Sequence, residues 1–482
     1  MRAHTFPVVI LSLAILGGCY GMRPSSGGGQ VTAISQAPRV AQASDVGVPQ
    51  GYRVEVVATG LNFPTGVAFD DAGRPHIVES GYSYGEVFTT PRLLRIEPND
   101  AKTVIASGRG NGPWNGVAFA QGAFFVAEGG QLEGGRILRI APNGETRAIV
   151  EGLPSLGDHH TNGPAVGPDG AIYFGQGTAT NSGVVGEDNA QFGWLKRKPD
   201  FHDIPCRDIR LAGRMFESAN PLGGGRVTTG AFAPFGKNAG SVVRGRLPCN
   251  GAIMKVSPNG GDLQLVAWGF RNPFGLAFDG SGRLFVTDNG YDERGSRPVW
   301  GTADHLWAVQ PGTWYGWPDF SGERGLSDSH FQPPGKDVPG FVMAEHPNKP
   351  PRPAAYFGVH SSSNGLDFSR NPGFGHVGEA FVAQFGDMAP NAGKVLAPVG
   401  FKVVRVNTAS GRIEDFMVNR GRDNGPASRV GGQGLERPVA VRFAPRGDAL
   451  YVVDFGVMTM GPKGPEPRQG TGVLWRVTRG GA

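Results

Sequence analysis

The stretch GLAFDGSGRLFVTDNG, residues 275–290, decides the fold. It opens on a glycine and a short apolar strand (Gly275, Leu276, Ala277, Phe278), turns through Asp and Gly, and resumes as the apolar run RLFVTDNG. Turn residues between two short apolar runs are the mark of a β-hairpin. The opening recurs as Gly66-Val67-Ala68-Phe69, Gly116-Val117-Ala118-Phe119, Gly163-Pro164-Ala165-Val166, Gly365-Leu366-Asp367-Phe368 and Ala440-Val441-Arg442-Phe443. The partner strands are PHIVES, AFFVAEGG, AIYFGQG, EAFVAQFG and ALYVVDFG, and a third strand follows each time: LLRIEP, ILRIAP, IMKVSP, LWAVQP, VVRVNT and LWRVTR. With 79 glycines, 39 prolines and no long helical periodicity, repeats of three or four short strands predict an all-β, six-bladed β-propeller.

The propeller is expected over residues 50–482. The strand GYRVEVVATGL, residues 51–61, precedes the first inner strand and is expected to complete the last blade, leaving no open sheet edge. Anchors Gly163 and Gly275 stand 112 positions apart, so the third blade carries an insertion at about 178–250, and the spacing from Gly275 to Gly365 gives the fourth blade a long excursion.

The chain has 482 residues, 39% hydrophobic and 18% charged, enough to bury a large core. Residues 1–19 read as a signal peptide: Arg2, an apolar run, then Leu16-Gly17-Gly18-Cys19. The small pair before Cys19 resembles a bacterial lipobox, which implies lipidation of that cysteine. An ordinary secretory signal is the alternative, and either one exports the chain; with the lipid, it is anchored to the envelope membrane, facing the periplasm or outside. Residues 20–49, rich in Gly, Ser, Gln, Ala and Pro, suit a flexible tether. Cys206 and Cys249 remain and could pair in an oxidising compartment, although sequence does not give their separation. No Cys-x-x-Cys-His occurs, which excludes covalent c-type haem, so electrons would leave by an acceptor that the sequence does not identify. A net charge of +5 with scattered basic residues argues against nucleic acid as a partner.

In a propeller the residues just before the inner strands converge on one channel mouth. Here they are Asn62, Gly112, His159 with His160, Arg271 with Asn272, His360 with Ser361 and Ser362, and Arg437. Imidazoles and guanidiniums around one concavity would form a cationic pocket with a general base near neutral pH, suited to a multiply anionic ligand. The plainer reading is that the histidines cap turns and the arginines satisfy carbonyl groups.

The segments DHHTNGPAVGPDG, WGFRNPFGLAFDGSGRLFVTDNG, WYGWPDF, HSSSNGLDF, GFKVVRV and ERPVAVRFAP resemble the glucose/sorbosone dehydrogenase family over about residues 51–478. That resemblance implies oxidation of a sugar or aldehyde with pyrroloquinoline quinone (PQQ) and calcium as cofactors. It implies His159 as the base taking the hydroxyl proton, Arg271 and Asn272 against the cofactor with Arg271 stabilising its developing charge, and Arg437 on its carboxylates. His160 would be a bystander or a substrate contact, and His360, from its place at the mouth, is a further candidate substrate contact. Calcium would take backbone carbonyls of Gly290, Tyr291 and Tyr315, with Asp292 and Asp304 nearby. Three positions depart from the pattern. Thr178 stands where an aspartate orients the histidine, Gly386 and Asp387 stand where a lysine is expected, and Leu435 replaces one of two late arginines. These traits are closer to the sorbosone-type branch. Two other readings stay open: a propeller that binds a ligand without chemistry, and a calcium-dependent lactonase, against which the cationic inventory of the mouth argues.

Overall fold

Six antiparallel sheets account for the six repeats in a computed structural model that describes residues 39–83, 87–109, 112–129, 134–191, 193–387, 398–461 and 464–480. From the axis outward, blade 1 has strands Pro64–Phe69, Pro75–Glu79, Arg92–Ile96 and Lys102–Ser107, and blade 2 has Trp114–Ala120, Ala123–Glu128, Gly135–Ile140 and Thr146–Leu153. Blade 3 has Thr161–Val166, Ile172–Gln176, Ala252–Val256 and Gln264–Trp268, and blade 4 has Pro273–Phe278, Leu284–Asp288, Ala303–Ala308 and Ala355–Val359. Blade 5 has Ser363–Phe368, Ala380–Gln384, Lys402–Asn407 and Arg412–Asn419. Blade 6 combines Pro438–Phe443, Ala449–Asp454 and Gly472–Arg479 with the early strand Tyr52–Leu61, paired antiparallel from Tyr52 opposite Arg479. The ring is therefore closed by one strand from the start of the chain, as its sequence led us to expect.

Five of the six repeats open on glycine and the sixth on Ala440, and the close approach of neighbouring inner strands around the whole ring explains this choice at several of them. A Cβ added to Gly116 would fall 1.9 Å from the Gly163 carbonyl oxygen, and one on Gly365 would fall 2.7 Å from the Cα of Ala440. These contacts are backbone against backbone, so no side chain can swing aside. Each inner strand also carries a register shift against its partner next to this position, which turns the strand end toward the axis. At these openings the channel narrows to a cavity of about 50 Å³, far below what an organic ligand needs, and toward the other ends of the inner strands, among Phe69, Phe119, Phe278 and Phe368, it widens to about 630 Å³. Between blades, the apolar alternation of the second and third strands packs fully buried side chains such as Trp307, Trp475, Phe124 and Phe285, each worth roughly 1.5–3 kcal/mol relative to exposure.

The signal segment 1–19, Cys19 and the tether up to residue 38 lie outside the described residues. The end of the expected tether is not free. Val46 and Gly47 form a short strand on the outer edge of blade 5, opposite Asn419 and Val418, and Val46 is buried. Arg39 enters blade 6, where Nη2 meets Asp454 Oδ2 at 2.8 Å and Nη1 donates to the Thr471 carbonyl at 2.9 Å. A buried carboxylate and a free sheet edge capture this segment despite its tether-like composition. Two excursions leave blades 3 and 4, at 177–251 and 309–354. The first is stapled by a disulfide between Cys206 and Cys249. The two are tied together by Arg297 and Asp319, an ion pair of 2.9 Å with no side-chain exposure, and Arg297 also donates to the carbonyls of Ser182, Pro318 and Gly340.

Candidate active site

The last residue of each second strand is buried and polar: Glu79, Glu128, Gln176, Asp288, Gln384 and Asp454. Several of these side chains hold the loop that leads into an inner strand. Asp288 Oδ1 accepts from the backbone N–H groups of Arg271 (3.1 Å) and Asn272 (2.7 Å), and Asp454 does so for Glu436 and Arg437 (2.9 and 2.8 Å). The residues that precede the inner strands are thus placed by the scaffold.

His159 is 8% exposed. Its Nδ1 lies 3.1 Å from the Thr178 carbonyl and 3.0 Å from the Thr178 hydroxyl oxygen. That hydroxyl donates its own proton to the Thr180 carbonyl at 2.7 Å, so both partners of Nδ1 are acceptors. Nδ1 therefore carries the proton, and Nε2 presents a lone pair. Burial, and then the charges of Arg271 and Arg294, hold the imidazole well below its usual range, so it is neutral. Gly177 makes room for this arrangement. A Cβ there would fall 2.3 Å from His159 Cβ and 3.2 Å from Asn272 Oδ1, which sets His159 directly beside Asn272.

Arg271 donates from Nε to the Asn181 carbonyl (3.1 Å) and from Nη2 to Asn181 Oδ1 (2.9 Å) and Asp292 Oδ2 (2.7 Å), with its guanidinium 6.0 Å from the Tyr291 ring centre. Asn272 belongs to a ladder of amides that crosses blades 2 to 5. Asn115 donates to Asn162, Asn162 Nδ2 to Asn272 Oδ1 (2.8 Å), Asn272 Nδ2 to Asn289 Oδ1 (2.8 Å), and Asn289 Nδ2 to the Ser363 carbonyl (3.0 Å).

Asp292 is the anion at the centre. It also meets Arg294 at 2.9 Å and faces His360 Nδ1 at 3.9 Å, and despite burial these cations hold its carboxyl well below the usual range. Arg294 pairs further with Asp188 (2.7 Å) and Asp158 (2.8 Å). Burial and the nearby Asp188 nevertheless push Asp158 up to about 6. For His360, burial opposes the charge, but the Glu293 carboxylate at 3.4 Å, with Asp292 and Asp387, outweighs it and raises the imidazole to about 9. The expected cationic pocket is not what forms. Arg271, Arg294 and His360 are met by Asp158, Asp188, Asp292 and Glu293, a balanced network in place of a positive well.

Arg437 lies at the same mouth but is 2% exposed. Its guanidinium donates to the carbonyls of Phe385, Gly386 and Met458 and sits 5.0 and 5.1 Å from the ring centres of Phe385 and Phe401. His160 packs its Cβ against Gly129 of blade 2, and burial lowers its imidazole to about 4. The Tyr291 carbonyl accepts from the Thr302 hydroxyl at 3.0 Å, and Gly290 N–H donates to Asp304 at 2.9 Å. Tyr315 stacks on Phe270 at 4.4 Å in a different apolar cluster from Tyr291. Among the described residues no group of three or more His, Cys, Asp or Glu side chains is placed to hold a metal ion. A carbonyl-ligated ion would need none.

Sequence reasoning missed Asn181, Asp188, Arg294 and Gly177. Arg294 carries no motif; its three carboxylate partners lie 2, 106 and 136 positions away.

No protein-family model matches the chain, and no curated protein matches it. Solved structures do. The PQQ-bound form of the aldose sugar dehydrogenase of Streptomyces coelicolor is 18% identical with a TM-score of 0.52, covering 90% of this chain and 99% of that one. The holo form of the PQQ domain of pyranose dehydrogenase from Coprinopsis cinerea is 16% identical, TM-score 0.56, covering 92% and 98%. The apo form of the soluble aldose sugar dehydrogenase of Escherichia coli is 15% identical, TM-score 0.51, covering 89% and 99%. At these identities the likeness shows the shared propeller.

Proposed function

We propose that the chain is a quinoprotein dehydrogenase, PQQ-dependent, that oxidises a sugar or a sugar-derived aldehyde of the sorbosone type, exported and held to the cell envelope through Cys19. The observation that carries this reading is His159: neutral, with Nδ1 committed to Thr178 and Nε2 open, beside Asn272. The folds most similar to it include a PQQ-bound sugar dehydrogenase.

One feature suits an anionic cofactor. Arg271 uses Nε and Nη2 on protein partners, while Nη1 has none among the described residues, so the guanidinium keeps a donor for a ligand. Arg271 and Asn272 would hold the cofactor, and bound PQQ would supply the acceptor for a hydride from the substrate carbon. The protein's own part is the proton. His159 Nε2 would accept it from the substrate hydroxyl, which for an aldehyde is a hydroxyl of its hydrate, as the C–H bond is lost, and Thr178 keeps the ring from turning. The imidazolium so formed is disfavoured by Arg271 and Arg294 and favoured by Asp292; such an ion returns its proton readily. Calcium would take carbonyl oxygens of Gly290, Tyr291 and Tyr315.

Calorimetric titration of PQQ with calcium into the purified chain, wild type against Arg271→Ala, tests the reading. Binding lost in the variant supports it, and dye reduction with a sugar panel, using His159→Ala as control, then finds the substrate. No binding by the wild type ends it. One observation favours a binding propeller without chemistry: Arg437 is enclosed by carbonyls and phenylalanines, leaving the cofactor carboxylates without that partner.

A further inference from the structure

His159 is oriented by a residue with no carboxylate of its own, and Thr178 is itself held from further out. Its hydroxyl donates to the carbonyl of Thr180, and its carbonyl accepts the His159 backbone N–H at 3.1 Å. What fixes Thr180 is Asp203, a buried carboxylate in the blade 3 excursion. Asp203 Oδ1 accepts from Ala179 N–H at 2.6 Å and Oδ2 from the Thr180 hydroxyl at 2.5 Å. The Thr180 oxygen in turn accepts from Gly183 N–H at 2.9 Å. Asp203 meets the Thr180 hydroxyl while the Thr180 carbonyl meets Thr178, so the link between them is the backbone that Asp203 pins at 179–180, and Thr178, Thr180 and Asp203 are all essentially inaccessible. Asp203 is anchored where the disulfide closes the excursion: Ile204 exchanges backbone and side-chain hydrogen bonds with Asn250, and Cys206 and Cys249 flank that pair. Asn250 Nδ2 also reaches the Gly177 carbonyl at 3.0 Å, beside His159.

We propose that Asp203 is a positioning residue for His159, acting through Thr180 and Thr178 to hold the Nδ1–H tautomer and leave Nε2 free. The inference deepens the reading of His159 as a base, yet it concerns the tautomer of a resting side chain and is read without cofactor or substrate. Asp203 touches nothing that reacts. Both of its oxygens accept here, but burial raises the carboxyl to about 7, so the role is complete above that pH, where the test is run; an amide in its place would turn a donor toward either Ala179 N–H or the Thr180 hydroxyl. The Thr180 hydroxyl would then turn away, the 179–180 backbone would shift, and both acceptors of Nδ1 would move with it.

The test uses the full chain labelled with nitrogen-15 at histidine and reads the His159 ring nitrogens by NMR, assigned by loss of signal in His159→Gln. In the wild type the Nδ1–H form dominates. In Asp203→Asn and in the near-isosteric Thr180→Val its ratio to the Nε2–H form falls by about ten-fold, the effect of about one lost hydrogen bond. Thr180→Ser, which keeps the hydroxyl, restores the wild-type ratio. If the protein proves to be a dehydrogenase, kcat falls in parallel while KM holds. A wild-type tautomer in folded Asp203→Asn or Thr180→Val overturns the proposal, and so does a Thr180→Ser chain that behaves like Thr180→Val. Should Asp203→Asn fail to fold, the Thr180 pair decides alone. Failure of PQQ to bind would sink the dehydrogenase reading and leave this result standing.

Discussion

Replacing His360 by Asn removes the cation that Glu293, Asp292 and Asp387 jointly face, and Asn tolerates the left-handed backbone that His360 adopts at φ 58°. Burial works against a charged imidazole here, but the three carboxylates raise it from an ordinary 6.5 to about 9. Because the folded value lies above the unfolded one, the stabilisation is complete below about pH 6.5 and disappears as pH rises through about 9. The gap between those values amounts to about 3 kcal/mol, at 1.36 kcal/mol per ten-fold change in proton affinity. With the side chain 14% exposed, solvent screening removes little of it. Urea unfolding from about pH 6 to about pH 10 reads the effect as a difference, so that groups titrating alike in both proteins cancel. Wild type should lose about 3 kcal/mol more than the variant across this range, and should exceed it most at the acid end. Parallel curves, or a variant that gains on acidification, would refute the reasoning that these carboxylates hold His360 protonated.

Four further variants test the scaffold. Gly116→Ala drives a Cβ to 1.9 Å from the Gly163 carbonyl at a backbone φ of +90°, and should cost about 3–5 kcal/mol by thermal or urea unfolding. Gly280→Ala, with open space around it, should change stability by less than about 0.5 kcal/mol. Asp319→Asn leaves Arg297 charged and buried with no side-chain exposure, for an expected loss of about 3–5 kcal/mol; a neutral result would mean that the four carbonyl and amide partners suffice. The double change Cys206→Ser with Cys249→Ser opens a loop of separation 43 and should lower stability by about 4 kcal/mol on the chain-entropy model, measured against the oxidised wild type.

How much of this was legible in the sequence depends on range. The openings were readable because glycine, at five of the six, answers a local demand: backbone meets backbone at the axis, and any Cβ at Gly116 or Gly365 would collide there. Converging positions followed from the fold, so His159, Arg271 and Asn272 were found at one mouth. What the sequence withheld was charge balance. Asp292 and Arg294 sit two positions apart in a loop without periodicity, and their partners Asp158, Asp188 and Arg271 come from other segments. Counting arginines and histidines before the strands gave a positive well because it left out the acids, Asp158 next to His159 and Asp188, Asp292 and Glu293 from other segments.

The same long-range character explains Thr178. Judged alone, a threonine where a carboxylate is expected looks like a lost function, since a hydroxyl can turn either its proton or its lone pair toward Nδ1. The fold removes that freedom: the Thr180 carbonyl takes the proton, and Asp203, 25 positions along and behind a disulfide, fixes Thr180. The carboxylate stands two links out, and it acts by holding the 179–180 backbone, and with it the Thr180 carbonyl, in place. A buried aspartate directly against His159 would favour the imidazolium; a hydroxyl that only accepts orients the ring and leaves it neutral. With burial, Arg271 and Arg294 already disfavouring a second proton, Nε2 stays open across the ordinary pH range, which is the state that the proposed role as a base requires.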